Sequence, residues 1–432
     1  AASVIRLELA GAGPEEAWAA QRLVDLAALL PVEDRTADVV TLGVSAGRGS
    51  VPSVAAARAA GWGVFDVDEA AGRVTLDAAV LRLVARVASA AVEQESDAAD
   101  RHGRVPSAIN QLVREGEERR PVVHEAAAAL DAAVRRTAGA RPVRYLARWP
   151  DGRTWAAAIT HDLDVVAGWP AFAALRWLEL ARGGHVRLAA RALGSAARAT
   201  LGDPVLAGVD QILATEHRHD VRATWFVLCG TPTVRTIRAG DLTYRPESPA
   251  ARRIFGRIAD AGHEIGLHGS FATCVDSARF RAERERLVEL TGSPGHGVRQ
   301  HFLRMRPGPT QRAMGAAGFR YDATFGFPDR NGFRLGAADV MPDLPDATHT
   351  AAHPLALVPL VWMDRALSKY RGVERPDAWI DDALALAASV REVGGLWTGL
   401  WHPNLTPALG FPGAPTAFAR LIADLLADRP FV

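Results

Sequence analysis

From Trp155 onward the chain alternates between two patterns of apolar and polar residues. Short apolar runs lie at 155–160 (WAAAIT), 222–229 (RATWFVLC), 263–268 (HEIGLH), 297–302 (GVRQHF), 355–363 (LALVPLVWM) and 396–402 (LWTGLWH). Runs of this length, closed by polar or turn-forming residues, predict buried strands. Between them, apolar residues recur every three or four positions at 204–218, 249–261, 277–291, 309–317, 377–392 and 415–427, which predicts amphipathic helices. Strands alternating with helices predict parallel βαβ units, arranged as an open sheet or as a barrel.

Residues 1 to about 145 follow another pattern, rich in Ala and mostly helical in spacing. Glu16–Leu30 and Val122–Arg136 predict helices, and Trp62–Thr75, which alternates at both ends, predicts a short strand pair. Asp100–Arg114 mixes charge, Gly and Pro ahead of a short helix and is expected to wrap the surface toward the next domain. The expected organisation is a small N-terminal α/β accessory module over 1–145, packing or capping, and a larger α/β domain over 146–432 that carries the chemistry.

With 432 residues, 49% hydrophobic and 23% charged, the chain can bury a sizeable core. A net charge of +1 offers no field to recruit nucleic acid or an anionic membrane surface. Lys369 is the single lysine among 50 basic residues, a coding bias that leaves any one arginine uninformative by itself. Cys229 and Cys274 form no CxxC pair and are expected to be free buried thiols rather than a disulfide or a thiolate zinc site. No apolar run approaches the roughly 20 residues needed to cross a bilayer. The start lacks a basic segment followed by an apolar one, so a cytoplasmic location is expected, although a first residue of Ala rather than Met is compatible with a removed leader.

In parallel α/β folds chemistry gathers at the C-terminal ends of the strands. The first predicted strand of the larger domain ends in His161-Asp162-Leu163-Asp164, the third ends at His268, the fourth contains Arg299 and His301, and the last ends at His402. Carboxylates and imidazoles on one rim can hold a divalent metal, while a second carboxylate left off the metal can act as a general base toward water. Asp162 and Asp164 are two apart and leave the same face of a strand, about 7 Å apart at Cα. The plain structural alternative is a solvated loop with Asp164 as a helix N-cap.

These residues carry a resemblance. THDLD, RATWFVLCG, AGHEIGLHGS, GVRQHFLR and LWTGLWHP resemble, in order and spacing over roughly residues 150–410, the motifs of the polysaccharide deacetylases of carbohydrate esterase family 4, in the variant whose first motif reads His-Asp-x-Asp. The resemblance implies a distorted (β/α) barrel of about seven strands and a metal-dependent removal of an acetyl or other acyl group from an N-acylated amino sugar. It assigns Asp162 as catalytic base, Asp164 and His268 as metal ligands, Arg299 as the cation positioning the base, and His402 as general acid. A histidine, with an unperturbed pKa of roughly 6.5, suits proton delivery to a departing amine. The implied cofactor is a divalent ion, zinc first and cobalt or nickel next, and the implied partner is a carbohydrate. The segment DRHGRVPSAINQL…RRPVVHEAAAAL also resembles an uncharacterised domain that precedes such deacetylase domains, and assigns no chemistry to it.

One position departs from the family pattern. The second motif has a further metal-binding histidine four residues after the first, where this chain has Ala272. His301 is the preferred replacement, because imidazole suits a borderline metal and because position 301 shares a strand face with Arg299; Ser270, His161, extra water, or a substrate-contact role for His301 are the alternatives. Asp364, after LVPLVWM, is the candidate for orienting His402, with a surface helix cap as the bland alternative. Asp322 is a candidate hydrogen-bonding group of the rim, and Trp362 and Trp401 are candidates for stacking on a sugar. His217 and His219 suit a helix C-terminus. Two other readings compete: hydrolysis of a small non-sugar amide on the same fold, and a decayed glycan-binding or scaffold protein, suggested by Ala272.

Overall fold

The computed structural model describes residues 5–7, 12–30, 40–45, 49–62, 66–167, 169–198, 202–234, 236, 244–342, 344–345 and 355–432. Its first half builds a four-stranded sheet from β1 (Ile5–Leu7), β2 (Val40–Val44), β3 (Asp66–Asp68) and β4 (Arg73–Leu76), in the order β1-β2-β4-β3. β3 and β4 are the expected strand pair and run antiparallel, whereas β1, β2 and β4 are parallel. Helices Pro14–Leu26, Ala78–Ala88 and Val122–Ala138 bury Leu23, Val84 and Leu130 with this sheet. The helix Ala78–Ala88 starts where the Asp77 carboxylate accepts the Ala79 and Val80 N–H groups, at 2.7 and 3.0 Å.

The second sheet has nine strands: β5 (Ala156–Leu163), β6 (Thr224–Leu228), β7 (Glu264–Gly269), β8 (Gly297–Gln300), β9 (Tyr321–Asp322), β10 (Met341–Pro342), β11 (Ala356–Leu357), β12 (Trp362–Met363) and β13 (Leu396–Leu400). The order is β10-β11-β9-β8-β7-β6-β5-β13-β12, parallel throughout except for β10 against β11. The expected helices appear at Pro204–Arg218, Pro249–Asp260, Ser277–Thr291, Pro309–Ala316, Pro376–Glu392 and Ala414–Ala427. Two more, Trp169–Arg182 and Val186–Arg198, follow β5 where the sequence reading placed none.

The run LALVPLVWM is not one strand. Its ends form β11 and β12, which lie on opposite flanks of the sheet, seven strand spacings apart. In a flat sheet that separation is about 34 Å, yet Leu357 and Trp362 are five residues apart and span at most about 17 Å. The sheet is therefore curled into a half-barrel whose mouth this segment crosses, held by Leu360 N–H to Phe325 O at 2.9 Å and Val361 N–H to Thr398 O at 3.0 Å. The expectation of a distorted barrel holds.

Buried side chains of both halves form one continuous core. A buried pair crosses between them: Arg334, from the loop after β9, meets Glu93, of the short helix Ala91–Gln94, at 2.5 Å with both side chains 2% exposed. Asn110 Nδ2 donates to the same carboxylate at 2.6 Å. Removing one partner leaves a buried charge uncompensated. Glu93→Ala is therefore expected to lower stability by about 3–5 kcal/mol in urea unfolding; an unchanged midpoint would show that the pair contributes nothing.

Cys229 and Cys274 are buried and free, as expected. Among the described residues no helix is long and apolar enough to cross a membrane.

Candidate metal centre and its flanking residues

β5 places the first two groups. Thr160 and Asp162 alternate with His161 and so face the concave side of the curled sheet. Asp164 lies just beyond the end of β5, with its carboxylate a quarter exposed toward a cavity. β5 is central, paired with β6 and β13, and this bonding on both sides fixes the strand that aims the carboxylates.

Arg299 comes from β8, three strands away, about 14 Å in a flat sheet and beyond the combined reach of the two side chains. The curl brings its Nη1 to 2.9 Å from Asp162 Oδ1. The same nitrogen donates to Thr160 Oγ1 at 2.9 Å, Nε donates to Ala323 O at 2.9 Å, and the guanidinium lies 4.5 Å from the Phe226 ring centre. Asp162 is thus held on one oxygen, leaving Oδ2 directed at the site, 3.6 Å from His268 Nε2.

His268, next to last in β7, lies beside Arg299, and its Nδ1 donates to the Arg299 carbonyl at 2.9 Å. With the proton on Nδ1, Nε2 is the free donor atom; it lies 3.2 Å from Asp164 Oδ1. His301 Nε2 stands 3.6 Å from that oxygen. Ligand atoms of Asp164, His268 and His301 all lie within 4.8 Å of one another. Tetrahedral bonds of about 2.0–2.2 Å would separate neighbouring ligand atoms by about 3.3–3.6 Å, which is the spacing seen between Asp164 and the two imidazoles. One carboxylate with two imidazoles is also a donor set suited to a borderline divalent ion. The residues present fit such an ion, and His301 brings a second imidazole to the set although position 272 is Ala.

His301 reaches this point by a different route from the one expected. β8 stops at Gln300, and His301 opens a tight turn in which Phe302 and Leu303 both adopt left-handed backbone, φ 62° and 52°. For non-glycine residues this conformation is strained. The ring of His301 stacks on Phe302 at 3.9 Å between centres, and Phe302 stacks on His102 at 4.8 Å.

On the other side of Asp164, His402 follows β13 with Nε2 3.6 Å from Asp164 Oδ2. Its Nδ1 bonds Asp364 Oδ1 at 2.7 Å, and its backbone N–H donates to Asp364 Oδ2 at 2.6 Å. Asp364 is fully buried, so it is not a surface helix cap. A Cβ on Gly208 would lie 2.2 Å from Pro403 O, so the helix Pro204–Arg218 packs directly under the loop that carries His402.

The charges act on one another. Burial pushes the Asp164 carboxyl up, but His301, His268 and His402 outweigh it and hold it well below the usual carboxylate range. Burial pushes His402 down, and Asp364, by charge and hydrogen bond, more than offsets it, so the ring keeps its proton above the usual histidine range. His268 is likewise raised, burial being outweighed by Asp162 and Asp164. The cluster calls for positive charge at its centre, which either an imidazole proton or a bound cation supplies.

Several candidates lie elsewhere. His161 points to the outer face, where Nδ1 bonds Trp401 O at 2.7 Å and Nε2 bonds Glu216 at 2.8 Å. Ser270 Oγ donates to Glu283 at 2.5 Å. Asp322 accepts Gln311 Nε2 and Thr324 N–H, both at 2.8 Å, and serves the loop after β9. Trp362 and Trp401 are 1% and 3% exposed and stack on each other at 6.1 Å, which leaves no face for a sugar. His219 caps the helix Pro204–Arg218, and His217 lies in its last turn.

The sequence reading missed two walls of the site. A cavity of about 610 Å³ opens over the cluster and is lined by Phe172, Leu175 and Arg176 of the helix Trp169–Arg182, and by Arg101, His102 and Arg104. The segment expected to wrap the surface instead enters the site: Arg104 is 6% exposed and donates to Phe302 O at 3.3 Å and to Tyr370 Oη at 3.2 Å. Arg304 ties it down, donating to His102 O at 3.0 Å and Phe271 O at 2.7 Å. No spacing in Asp100–Arg104 signals this, because the partners lie some 200 residues away.

No family model matches the chain, and no curated protein does. Among solved structures it is similar to a protein from Mycobacterium smegmatis assigned to the polysaccharide deacetylases, at 24% identity over 65% of this chain and 86% of that one, with a TM-score of 0.41. The chitin deacetylase of Colletotrichum lindemuthianum matches at 14% identity over 63% and 83% of the two chains, with a TM-score of 0.31. A pseudoenzyme of carbohydrate esterase family 4 from Bacillus anthracis matches at 13% identity over 64% and 62%, with a TM-score of 0.29. Likenesses this distant say nothing about chemistry, which rests on the residues. Over 65% of its length, this chain resembles a solved structure assigned to the polysaccharide deacetylases.

Proposed function

We propose that the protein is a metal-dependent hydrolase that removes an acetyl or other acyl group from an N-acylated amino sugar of a glycan or glycan precursor. The observation that carries this reading is the convergence, around one triangle of metal donors, of an arginine-held carboxylate and a carboxylate-held imidazole. Asp164, His268 and His301 would hold the divalent ion, zinc being the best match to the donors. Bound there, the ion supplies Lewis acidity to water and to the negative charge that develops on the carbonyl oxygen.

The chain's own residues supply the rest. Asp162, fixed by Arg299 on one oxygen, takes a proton on the other from the attacking water. The water oxygen adds to the amide carbonyl, and the C–N bond then breaks. His402 delivers the proton from Nε2 to the departing nitrogen, so that carboxylic acid and free amine leave. Asp364 is a positioning residue: its bond to Nδ1 keeps Nε2 toward the amide and favours the charged ring. The segment around His102 and the helix Trp169–Arg182 wall the cavity on two sides. The segment around His102 gives the accessory portion over 1–145 the part of a capping module to the domain over 146–432.

Acetate release from N-acetylglucosamine oligomers, with zinc, cobalt or nickel supplied, tests the reading. Release from small linear or cyclic amides alone would favour the non-sugar reading. No bound metal by elemental analysis, with no activity on adding these ions, would favour the decayed scaffold suggested by Ala272. Within this reading, His402→Ala is expected to lower kcat by about 10²–10⁴-fold, the usual contribution of a general acid. Asp364→Asn, which keeps the shape and removes the charge, is expected to lower kcat by about 10–100-fold and to shift the pH at which activity falls on the alkaline side to lower values. An unmoved pH profile would reduce Asp364 to a purely structural part.

A further inference from the structure

The cavity is more cationic than hydrolysis of a neutral amide requires. Five basic side chains line it: Arg101, Arg104, Arg176, Arg365 and Lys369. Two are matched inside the protein, Arg104 by Asp100 at 2.7 Å and Arg176 by Glu179 at 2.8 Å and Glu374 at 3.1 Å. Among the described residues, Arg101, Arg365 and Lys369 form no ion pair with any carboxylate. Of the carboxylates on the wall, Glu179 is taken by Arg176, Asp162 by Arg299, and Asp164 by the imidazole cluster.

Arg365 bears the strongest sign of a missing partner. Its Nη1 is buried with no hydrogen-bond partner and its guanidinium lies over the Phe411 ring, at 5.5 Å, while Asp364, Glu179 and Asp164 act on it by charge without forming an ion pair. Arg365 is half-buried, and a buried guanidinium nitrogen with no partner costs free energy that an anionic ligand would recover. Arg365, the residue after Asp364, lines the same cavity as Asp162, Asp164 and His402. Lys369 belongs to the turn Ala366–Tyr370, is exposed, and lines the cavity. Burial first, and then the neighbouring charges of Arg365 and Arg101, push the Lys369 ammonium down to about 8. A guanidinium fork beside a flexible ammonium is a pair well suited to carboxylate or phosphate oxygens.

We propose that the N-acylated amino sugar taken by this site is an anionic one, whose carboxylate or phosphate is bound by Arg365, Lys369 and Arg101 while its amide lies between Asp162 and His402. This inference rests on the deacylase reading above and names its substrate class. Its test compares acetate release from a neutral N-acetylglucosamine oligomer, from N-acetylmuramic acid and from N-acetylglucosamine 1-phosphate.

The expected result is a kcat/KM at least about tenfold higher for one anionic substrate than for the neutral one, with the carboxylate and phosphate arms telling which anion is read. In Lys369→Met and Arg365→Gln the ratio of anionic to neutral kcat/KM should fall roughly 10- to 100-fold, mostly through KM. Added salt should shrink the same ratio. Equal kcat/KM for neutral and anionic sugars in the unaltered protein overturns the anion site and leaves the deacylase reading standing. Should no sugar release acetate, the deacylase reading fails and calorimetry decides the anion site alone. Binding of either anionic sugar but not of N-acetylglucosamine, weakened in Lys369→Met, sustains it, and equal or absent binding overturns it. Lys369 lies in an open turn, so its variant keeps the test available if Arg365→Gln does not fold.

Discussion

Asp162→Asn is expected to lower turnover by at least about 10²-fold while the protein still binds its metal. The amide keeps the side chain's size and one oxygen for the Arg299 Nη1 hydrogen bond of 2.9 Å, so the strand end should hold its shape. What it loses is the ability to accept a proton at neutral pH, because an amide oxygen is a far weaker base than a carboxylate. Metal content should survive because the triangle of donors is Asp164, His268 and His301, with Asp162 outside it. The substitution does leave Arg299 buried without its counter-charge, and a buried pair that loses one partner is destabilised by about 3–5 kcal/mol. Thermal unfolding and elemental analysis therefore belong beside the kinetics. A folded, metal-loaded variant with full activity would remove Asp162 from the mechanism.

His268→Ala is expected to lose the metal. Removing a residue that merely supports a ligand typically weakens metal affinity about 10–100-fold, and removing a ligand should do more. His268 is firmly anchored, 1% exposed and held at Nδ1 by the Arg299 carbonyl at 2.9 Å. Little else can take its place: Ser270 is committed to Glu283, and His161 faces away from the site. Equilibrium dialysis against zinc should give close to one ion per chain in the unaltered protein and almost none in the variant. Undiminished binding in His268→Ala would mean that the ion sits elsewhere or that no ion is used. The parallel substitution His301→Ala isolates the departure at Ala272. Loss of metal there would make His301 the replacement ligand, whereas retained metal with a raised KM would make it a substrate contact.

The two experiments read different properties of neighbouring carboxylates. Asp164 is surrounded by three imidazoles, which stabilise its charge, and Asp162 is held by one guanidinium. Two acids separated by a single residue thus share His268 but differ in their other partners, Arg299 for Asp162 and His301 with His402 for Asp164.

Much of this was legible in the sequence. Apolar runs marked β5, β6, β7, β8 and β13, and three- to four-residue spacing marked six of the helices around them, because a strand buried on both faces and a helix buried on one leave distinct periodic signatures. The site candidates Asp162, Asp164, His268, Arg299, His301, Asp364 and His402 were legible for a related reason. Polar residues at the ends of buried parallel strands are exceptions to the apolar pattern, and parallel pairing sends all those ends to one rim. The two-residue strands β9–β12 were not legible, being too short to carry a period; nor was the splitting of LALVPLVWM across the barrel mouth.

Residue type and spacing, then, determined the class of fold and the chemical groups available at the strand ends. The tertiary structure alone decided which of those groups meet: the curl that carries Arg299 across three strands to Asp162, the left-handed turn that aims His301, and the entry of Arg104 and His102 from the first half of the chain. These depend on contacts between residues about 140 to 200 positions apart, and local periodicity holds no information about pairings at that range.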